Sequence, residues 1–172
     1  MEERKKVALI MGSKNDYPAV AGAVVTLESF GIETEVRVFS AHRTPEEAAN
    51  FSKSARENGF GVLIAAAGKA AHLAGALAAQ TTLPVIGIPV KASDLDGLDA
   101  LLSTVQMPKG VPVATVAIDG AENAAILAAQ ILGVTDSAIA AKLREMKIQM
   151  AADVYKADAE LQRQLGARVV HI

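Results

Sequence analysis

Thr34-Glu35-Val36-Arg37-Val38-Phe39-Ser40-Ala41-His42-Arg43-Thr44-Pro45 turns, within a dozen residues, from a strand pattern to a helix start. Residues 34–39 alternate and are rich in β-formers. Thr44 stands as a helix N-cap, Pro45 falls at the first helical position, and Glu47 lies three residues after the cap, the spacing of a capping box. The stretch therefore predicts a β–α unit whose turn carries a hydroxyl, an imidazole and a guanidinium. In open α/β sheets, ligands bind outside the carboxyl ends of the strands. A helix N-terminus also offers unbonded N–H groups to an anion. A cation such as Arg43 is out of place at that end of a helix unless an anion offsets it. His42 exchanges protons near neutral pH, and Arg43 can grip a phosphate or carboxylate through two parallel hydrogen bonds. This loop is expected at the centre of an active site.

Outward from it, the same unit recurs. Residues 7–11 form a continuous apolar run of strand length, as in strands buried on both faces. The turn Gly12-Ser13-Lys14-Asn15-Asp16 follows, with Asp16 or Asn15 as cap and Pro18 near the start of a helix that runs to about Phe30 and stops at Gly31. The helix begun at Pro45 is expected to reach about Glu57. Residues 61–66 read as the third strand, 83–88 as the fourth with Pro89 as its boundary, and 112–117 as the fifth. Between them lie a small-residue loop, 67–75, leading to a helix that ends near Gln80, and a helix over about 94–105 weakened by Gly97. A helix over about 121–132 ends at Gly133.

Strict alternation of strand and helix predicts an α/β fold, a flavodoxin-like three-layer α/β/α sandwich on a five-stranded parallel sheet of order 2-1-3-4-5. One domain is expected over 1–172, with its core at about 5–133. The loops bearing Ser13, His42 and Lys69 would then converge on one crevice. Beyond the core, Ile139, Leu143, Met146, Met150, Val154, Ala157, Leu161 and Leu165 recur at spacings of four and three, a single apolar stripe on a long amphipathic helix over about 137–165. It is too long to lie wholly on a sheet of this size, so part of it is expected to pack on another copy of the chain.

Composition narrows the function. The chain has 172 residues, 51% hydrophobic and 3% aromatic, without Trp, so its core must be built from Ala, Val, Ile and Leu. A net charge of −2 provides no basic field for nucleic acid. The absence of Cys rules out disulfides, a thiolate nucleophile and a Cys-type zinc site, and three scattered His do not suggest a metal cluster. Residues 1–6 carry no signal-type apolar stretch, and no segment is apolar long enough to cross a bilayer. A cytoplasmic protein with no membrane association is expected. The loop from Gly68 to Gly75 is neither a Walker loop nor a dinucleotide fingerprint. Its small residues would admit a flat ring close to the backbone, or serve only tight helix–strand packing. Ser13 and Asp16 read equally well as simple caps, and His72 as a helix-start residue.

Four stretches together carry a resemblance to a known family: 11–16 (Met-Gly-Ser-Lys-Asn-Asp), 40–45 (Ser-Ala-His-Arg-Thr-Pro), Ala67-Gly68 with 70–73 (Ala-Ala-His-Leu), and 105–112 (Val-Gln-Met-Pro-Lys-Gly-Val-Pro). In this order they resemble the class I PurE family of N5-carboxyaminoimidazole ribonucleotide mutases, over about Lys5 to at least Leu132. The resemblance implies an isomerase of purine biosynthesis that moves a carboxylate from the exocyclic nitrogen of an aminoimidazole ribonucleotide to a ring carbon, without metal or cofactor. It implies His42 as general acid and base, Arg43 and Ser13 on the 5′-phosphate, Asp16 on the ribose hydroxyls, and Ser40 shaping the His42 loop. Ala67, Gly68, Lys69, Ala70, Ala71, His72 and Leu73 would wall a pocket that retains carbon dioxide. A homo-octamer and a functional link to an ATP-dependent carboxyaminoimidazole ribonucleotide synthetase are implied as well. The chain departs from the family pattern at Asn15, Lys69 and Ala74, where the family has Ser, Gly and Pro. Lys69 matters most, because its side chain would either block the pocket or pair with a carboxylate. Two rival readings are a class II carboxylase that uses carbon dioxide directly, which the His72-Leu73 pair argues against, and a nucleotide-binding module that has lost catalysis.

Overall fold

The computed structural model describes residues 6–92 and 94–166. The N-terminal run 1–5, including the expected start of the core, lies outside the described residues. In chain order the elements are β1 (Lys6–Met11), α1 (Tyr17–Ser29), β2 (Thr34–Val38), α2 (Pro45–Ser54), β3 (Phe60–Gly68), α3 (Leu73–Ala78), β4 (Val85–Val90), α4 (Leu98–Val105), β5 (Ala114–Thr115), α5 (Ala121–Leu132) and α6 (Ser137–Gly166). The strands form one parallel sheet in the expected order, β2-β1-β3-β4-β5.

The apolar runs of β1, β3 and β4 are buried on both faces because helices cover both. Val7, Leu9, Met11, Val62, Ile64, Ala66, Ile86, Ile88 and Val90 form one core with α1, α5 and the start of α6. The alternate residues Ala8, Ile10, Leu63, Ala65 and Val85 form the second core with α2 and α3. Small residues bring α5 close to the sheet: Ala121, Ala124, Ala125, Ala128 and Ala129 are all buried. Phe39 and Phe60 each stack tilted against Phe51, at centroid spacings of 5.4 and 5.3 Å, concentrating half of the chain's six Phe and Tyr rings near the β2–α2 unit.

Several local expectations are corrected. The Thr44/Glu47 capping box does not form. Thr44 Oγ1 instead accepts from the Ser40 amide at 2.9 Å and donates to the Ser40 carbonyl at 3.3 Å, so it closes the loop before α2 rather than capping the helix. The capping box lies one unit earlier. It closes a single 3-10 turn, Lys14–Asp16, that leads into α1: Ser13 Oγ accepts from the Asn15 amide at 3.2 Å, and Asp16 Oδ2 accepts from the Ser13 amide at 3.1 Å. Asp16 holds the N-cap position of α1, as expected, but makes no side-chain capping bond there. Pro89 does not end β4. Ala67 pairs with Pro89 and Gly68 with Val90, lengthening β3 and β4 together. The Pro89 carbonyl accepts from the Asp119 amide at 2.9 Å, on the β5 side. Its missing N–H faces the same way, past the end of β5, where no ladder partner is required. β5 itself has two residues instead of six. α4 starts at Leu98 rather than 94, because Leu95, Asp96 and Gly97 have φ of 23, 50 and 89°, outside the right-handed helical region. Gly97 is therefore the N-cap, not a weak interior residue. α2 ends at Ser54, three residues early, and continues as turns.

The long last helix is present. Its thirty residues span about 45 Å at 1.5 Å per residue. Ile139 is buried, and Leu143 and Met146 pack on the first core. From Met150 onward the stripe leaves the sheet, and Met150, Val154, Leu161 and Leu165 are exposed.

Candidate active site

The carboxyl ends of β1, β2, β3 and β4 lie side by side, so the segments that follow them border one cavity of about 480 Å³, within the usual size range of small-molecule sites. From the end of β1 come Gly12, Ser13, Asn15 and Asp16. The β2–α2 loop supplies Ser40, Ala41, His42 and Arg43. The end of β3 and the entry to α3 supply Ala67, Gly68, Lys69, Ala70, His72 and Leu73, and the end of β4 and the two residues after it supply Val90, Lys91 and Ala92. Of the expected site residues only Ala71 is absent from the wall. It is buried behind it, 1% exposed, where a small side chain fits against the core.

Ser40 organises the loop that carries the imidazole. Its Oγ accepts from the amides of His42 at 3.3 Å and Arg43 at 3.2 Å, and from Arg43 Nε at 3.4 Å. Thr44 closes the loop with a backbone bond to the Ser40 carbonyl at 2.9 Å. Arg43 reaches across to the β1 loop and donates to the Gly12 carbonyl at 3.3 Å. The guanidinium is thereby held on the Ser13–Asp16 side of the cavity. Asp16 is half-buried, and loss of water there pushes its carboxyl pKa up, while the Ser13 amide pulls it the other way.

His42 Nε2 and His72 Nδ1 lie 2.8 Å apart, with the rings edge-on at 77°. One of the two nitrogens must carry the proton of this bond. His72 is therefore more than a helix-start residue: it makes no side-chain capping bond at α3 and meets the imidazole of the β2 loop instead. The turn that delivers it is tight, with the Ala71 amide on the Lys69 carbonyl at 2.8 Å and the His72 amide on the Ala70 carbonyl at 2.9 Å. Lys69 adopts φ of 55°, the left-handed region that favours glycine.

Gly12, Ala41, Val90, Lys91 and Ala92 line the cavity without having been singled out from the sequence. Val90 to Ala92 were hidden by reading Pro89 as the end of β4. The signal was present, since the apolar run continues through Val90 before Lys91 breaks it. Lys91 Nζ pairs with Asp96 at 3.0 Å, which raises its pKa, and the Lys91 amide donates to Asp119 at 2.9 Å. Among the described residues, no group of three or more His, Cys, Asp or Glu side chains is placed to hold a metal ion, and no helix is long and apolar enough to cross a membrane.

Comparison with known proteins places this geometry among relatives. The family model AIRC, described as AIR carboxylase, matches residues 6–153. An N5-carboxyaminoimidazole ribonucleotide mutase of Mycobacterium tuberculosis (strain H37Rv) is 52% identical over 164 residues, covering 95% of this chain and 94% of that protein. The mutase of the same name from Saccharolobus solfataricus is 55% identical over 149 residues, 87% of this chain and 94% of the other. The crystal structure of Treponema denticola PurE matches with a TM-score of 0.83 at 28% identity, over 92% of this chain and 99% of that one.

Proposed function

The chain belongs to the AIR carboxylase family, and we propose that its cavity converts N5-carboxyaminoimidazole ribonucleotide to 4-carboxy-5-aminoimidazole ribonucleotide with His42 as the one group that moves protons. The protein is a mutase, an isomerase of purine biosynthesis, like the relatives that cover nearly all of it. The observation that supports His42 is its position: an imidazole bonded to a second imidazole, on the wall of a cavity that Ser13, Asp16 and Arg43 also line.

The chemistry needs one proton given and one taken. Loss of carbon dioxide from the exocyclic nitrogen leaves a lone pair there, which a protonated His42 quenches. The ring carbon then attacks the carbon dioxide, and the now neutral His42 removes the proton from that carbon, restoring aromaticity and its own charge. No net proton is consumed. With His42 Nε2 donating to His72 Nδ1, Nδ1 of His42 can gain and lose the travelling proton while the bond between the rings persists. His72 thus holds the His42 ring at one angle in both charge states.

Arg43 and Ser13 hold the 5′-phosphate at the β1–β2 side, and Asp16 accepts from the ribose hydroxyls. The walls from Ala67 to Leu73 keep the carbon dioxide next to the ring, where proximity favours recapture over escape. The enzyme works in the cytoplasm as a homo-oligomer, an octamer as in the PurE family, supplied by an ATP-dependent carboxyaminoimidazole ribonucleotide synthetase. The exposed distal stripe of α6 supports the association.

The test is an absorbance assay with fresh N5-carboxyaminoimidazole ribonucleotide beside aminoimidazole ribonucleotide plus bicarbonate, without ATP or added metal. Rapid conversion of the first alone is expected. Conversion of only the second would move the protein to direct carboxylation. His42→Asn should lower turnover by ~100- to 10,000-fold while calorimetry still detects ligand binding. Turnover that survives the substitution would remove His42 from the mechanism.

A further inference from the structure

We propose that Lys69 determines specificity in this cavity by pairing its ammonium with the migrating carboxylate, so that the site favours carboxylated ribonucleotides over the bare aminoimidazole ribonucleotide. This inference rests on the mutase reaction above and assigns its second anion a partner.

The charge inventory of the cavity leads to it. Three cations line the wall: Arg43, Lys69 and Lys91. Lys91 is already paired with Asp96 at 3.0 Å. Arg43 is held on the β1 side by the Gly12 carbonyl and Ser40. Lys69 has no carboxylate within 4 Å of its ammonium among the described residues. A ligand with two anionic ends therefore meets a cation at each end. Its phosphate sits with Arg43 and Ser13, and its ring end reaches toward the turn that carries Lys69, three residues before His72.

The backbone makes the same point. At φ of 55°, Lys69 holds a conformation that glycine takes freely, and a side chain there costs about 1–2 kcal/mol. The neighbouring bonds, Ala71 amide to Lys69 carbonyl and His72 amide to Ala70 carbonyl, keep the turn tight whatever residue stands at 69. Glycine would meet every backbone requirement of this turn. A lysine instead adds only its long cationic side chain, at a residue that borders the cavity.

An ammonium at this position interacts strongly with a carboxylate and weakly with neutral carbon dioxide. The contact therefore stabilises substrate and product together, relative to the decarboxylated intermediate. Its signature is selectivity in binding rather than faster chemistry.

Calorimetric titration of wild type, Lys69→Asn and Lys69→Arg with 4-carboxy-5-aminoimidazole ribonucleotide and with aminoimidazole ribonucleotide tests this. Asn tolerates the left-handed backbone and removes the charge, whereas Arg keeps the charge. Lys69→Asn is expected to weaken the carboxylated ligand by about tenfold and to leave the decarboxylated one within about twofold. Lys69→Arg should restore most of the preference, and added salt should erode it in wild type. Tighter binding of the carboxylated ligand by Lys69→Asn would make Lys69 an obstruction, unchanged binding would leave it without a role, and either would overturn the proposal. Equal weakening of both ligands, or binding of neither by wild type, would overturn it as well. If wild type binds both ligands but never interconverts N5-carboxyaminoimidazole ribonucleotide, the reaction assignment fails, and the binding ratio still decides the role of Lys69.

Discussion

Asp16 has one carboxylate oxygen engaged by the Ser13 amide and lies half-buried at the cavity wall. Burial raises its pKa above 3.8 despite that amide. In the folded protein alone, a raised carboxyl pKa means that ionising Asp16 works against stability: its favourable contribution is complete below the unfolded value and is lost as pH climbs through the folded one. Ribose hydroxyls reverse the preference, because they donate to the charged form. Ribonucleotide affinity should therefore fall as pH drops through the raised Asp16 pKa, with proton release on binding in that window. Titration calorimetry in buffers of different ionisation enthalpy would detect it. Asp16→Asn should bind more weakly at neutral pH and lose this pH dependence, and an unchanged acid limb would assign it to another group. At this scale the sequence was a good guide where chemistry and backbone coincide. Ser40, His42 and Arg43 stand on a strand-to-helix turn, so their types and their place both point to a site. It misled where one side chain had two possible bonding partners. Thr44 suited a cap, yet the nearer claim came from both backbone groups of Ser40. The His42–His72 contact joins residues thirty apart, and no local pattern encodes it.

β4 shows why element boundaries were harder to read than element order. Alternation of apolar runs and helix signals was enough for all five strands and the order β2-β1-β3-β4-β5. Whether Pro89 ends a strand depends on which neighbour its nitrogen faces, and only the sheet determines that. The same holds for Gly87 in the middle of β4. A β-carbon there would lie 2.9 Å from Val113 Cγ1 and 3.4 Å from Ala74 Cβ, and would press on Thr104 of α4. The glycine lets α4 and the segment before β5 close over the strand. Gly87→Ala is expected to cost about 1–3 kcal/mol through overpacking, read as a lower urea midpoint at constant slope. A midpoint equal to wild type would mean that α4 yields without penalty. Because β4 also delivers Val90, Lys91 and Ala92 to the cavity wall, the variant should weaken ribonucleotide binding along with stability.

The molecule as a whole separates what the sheet needs from what it leaves over. Ile139, Leu143 and Met146 finish the core under α1 and α5, so α6 is anchored by its first three turns. The remainder projects Met150, Val154, Leu161 and Leu165 into solvent from the face that continues the anchored stripe. One continuous stripe is satisfied within the chain at its first three positions, and in the homo-oligomer proposed above a second copy would cover the rest. Burying a Leu side chain contributes ~1.5–3 kcal/mol. A chain shortened to end before Tyr155 loses Leu161 and Leu165, hence about 3–6 kcal/mol at each contact, or roughly two to four orders of magnitude in association constant. Analytical ultracentrifugation of that variant should show a smaller assembly that dissociates on dilution. Its secondary structure should persist by circular dichroism, since the anchored turns remain. The same mass and thermal midpoint as the full chain would place the assembly contact elsewhere, and would leave the outer half of α6 without a role in association.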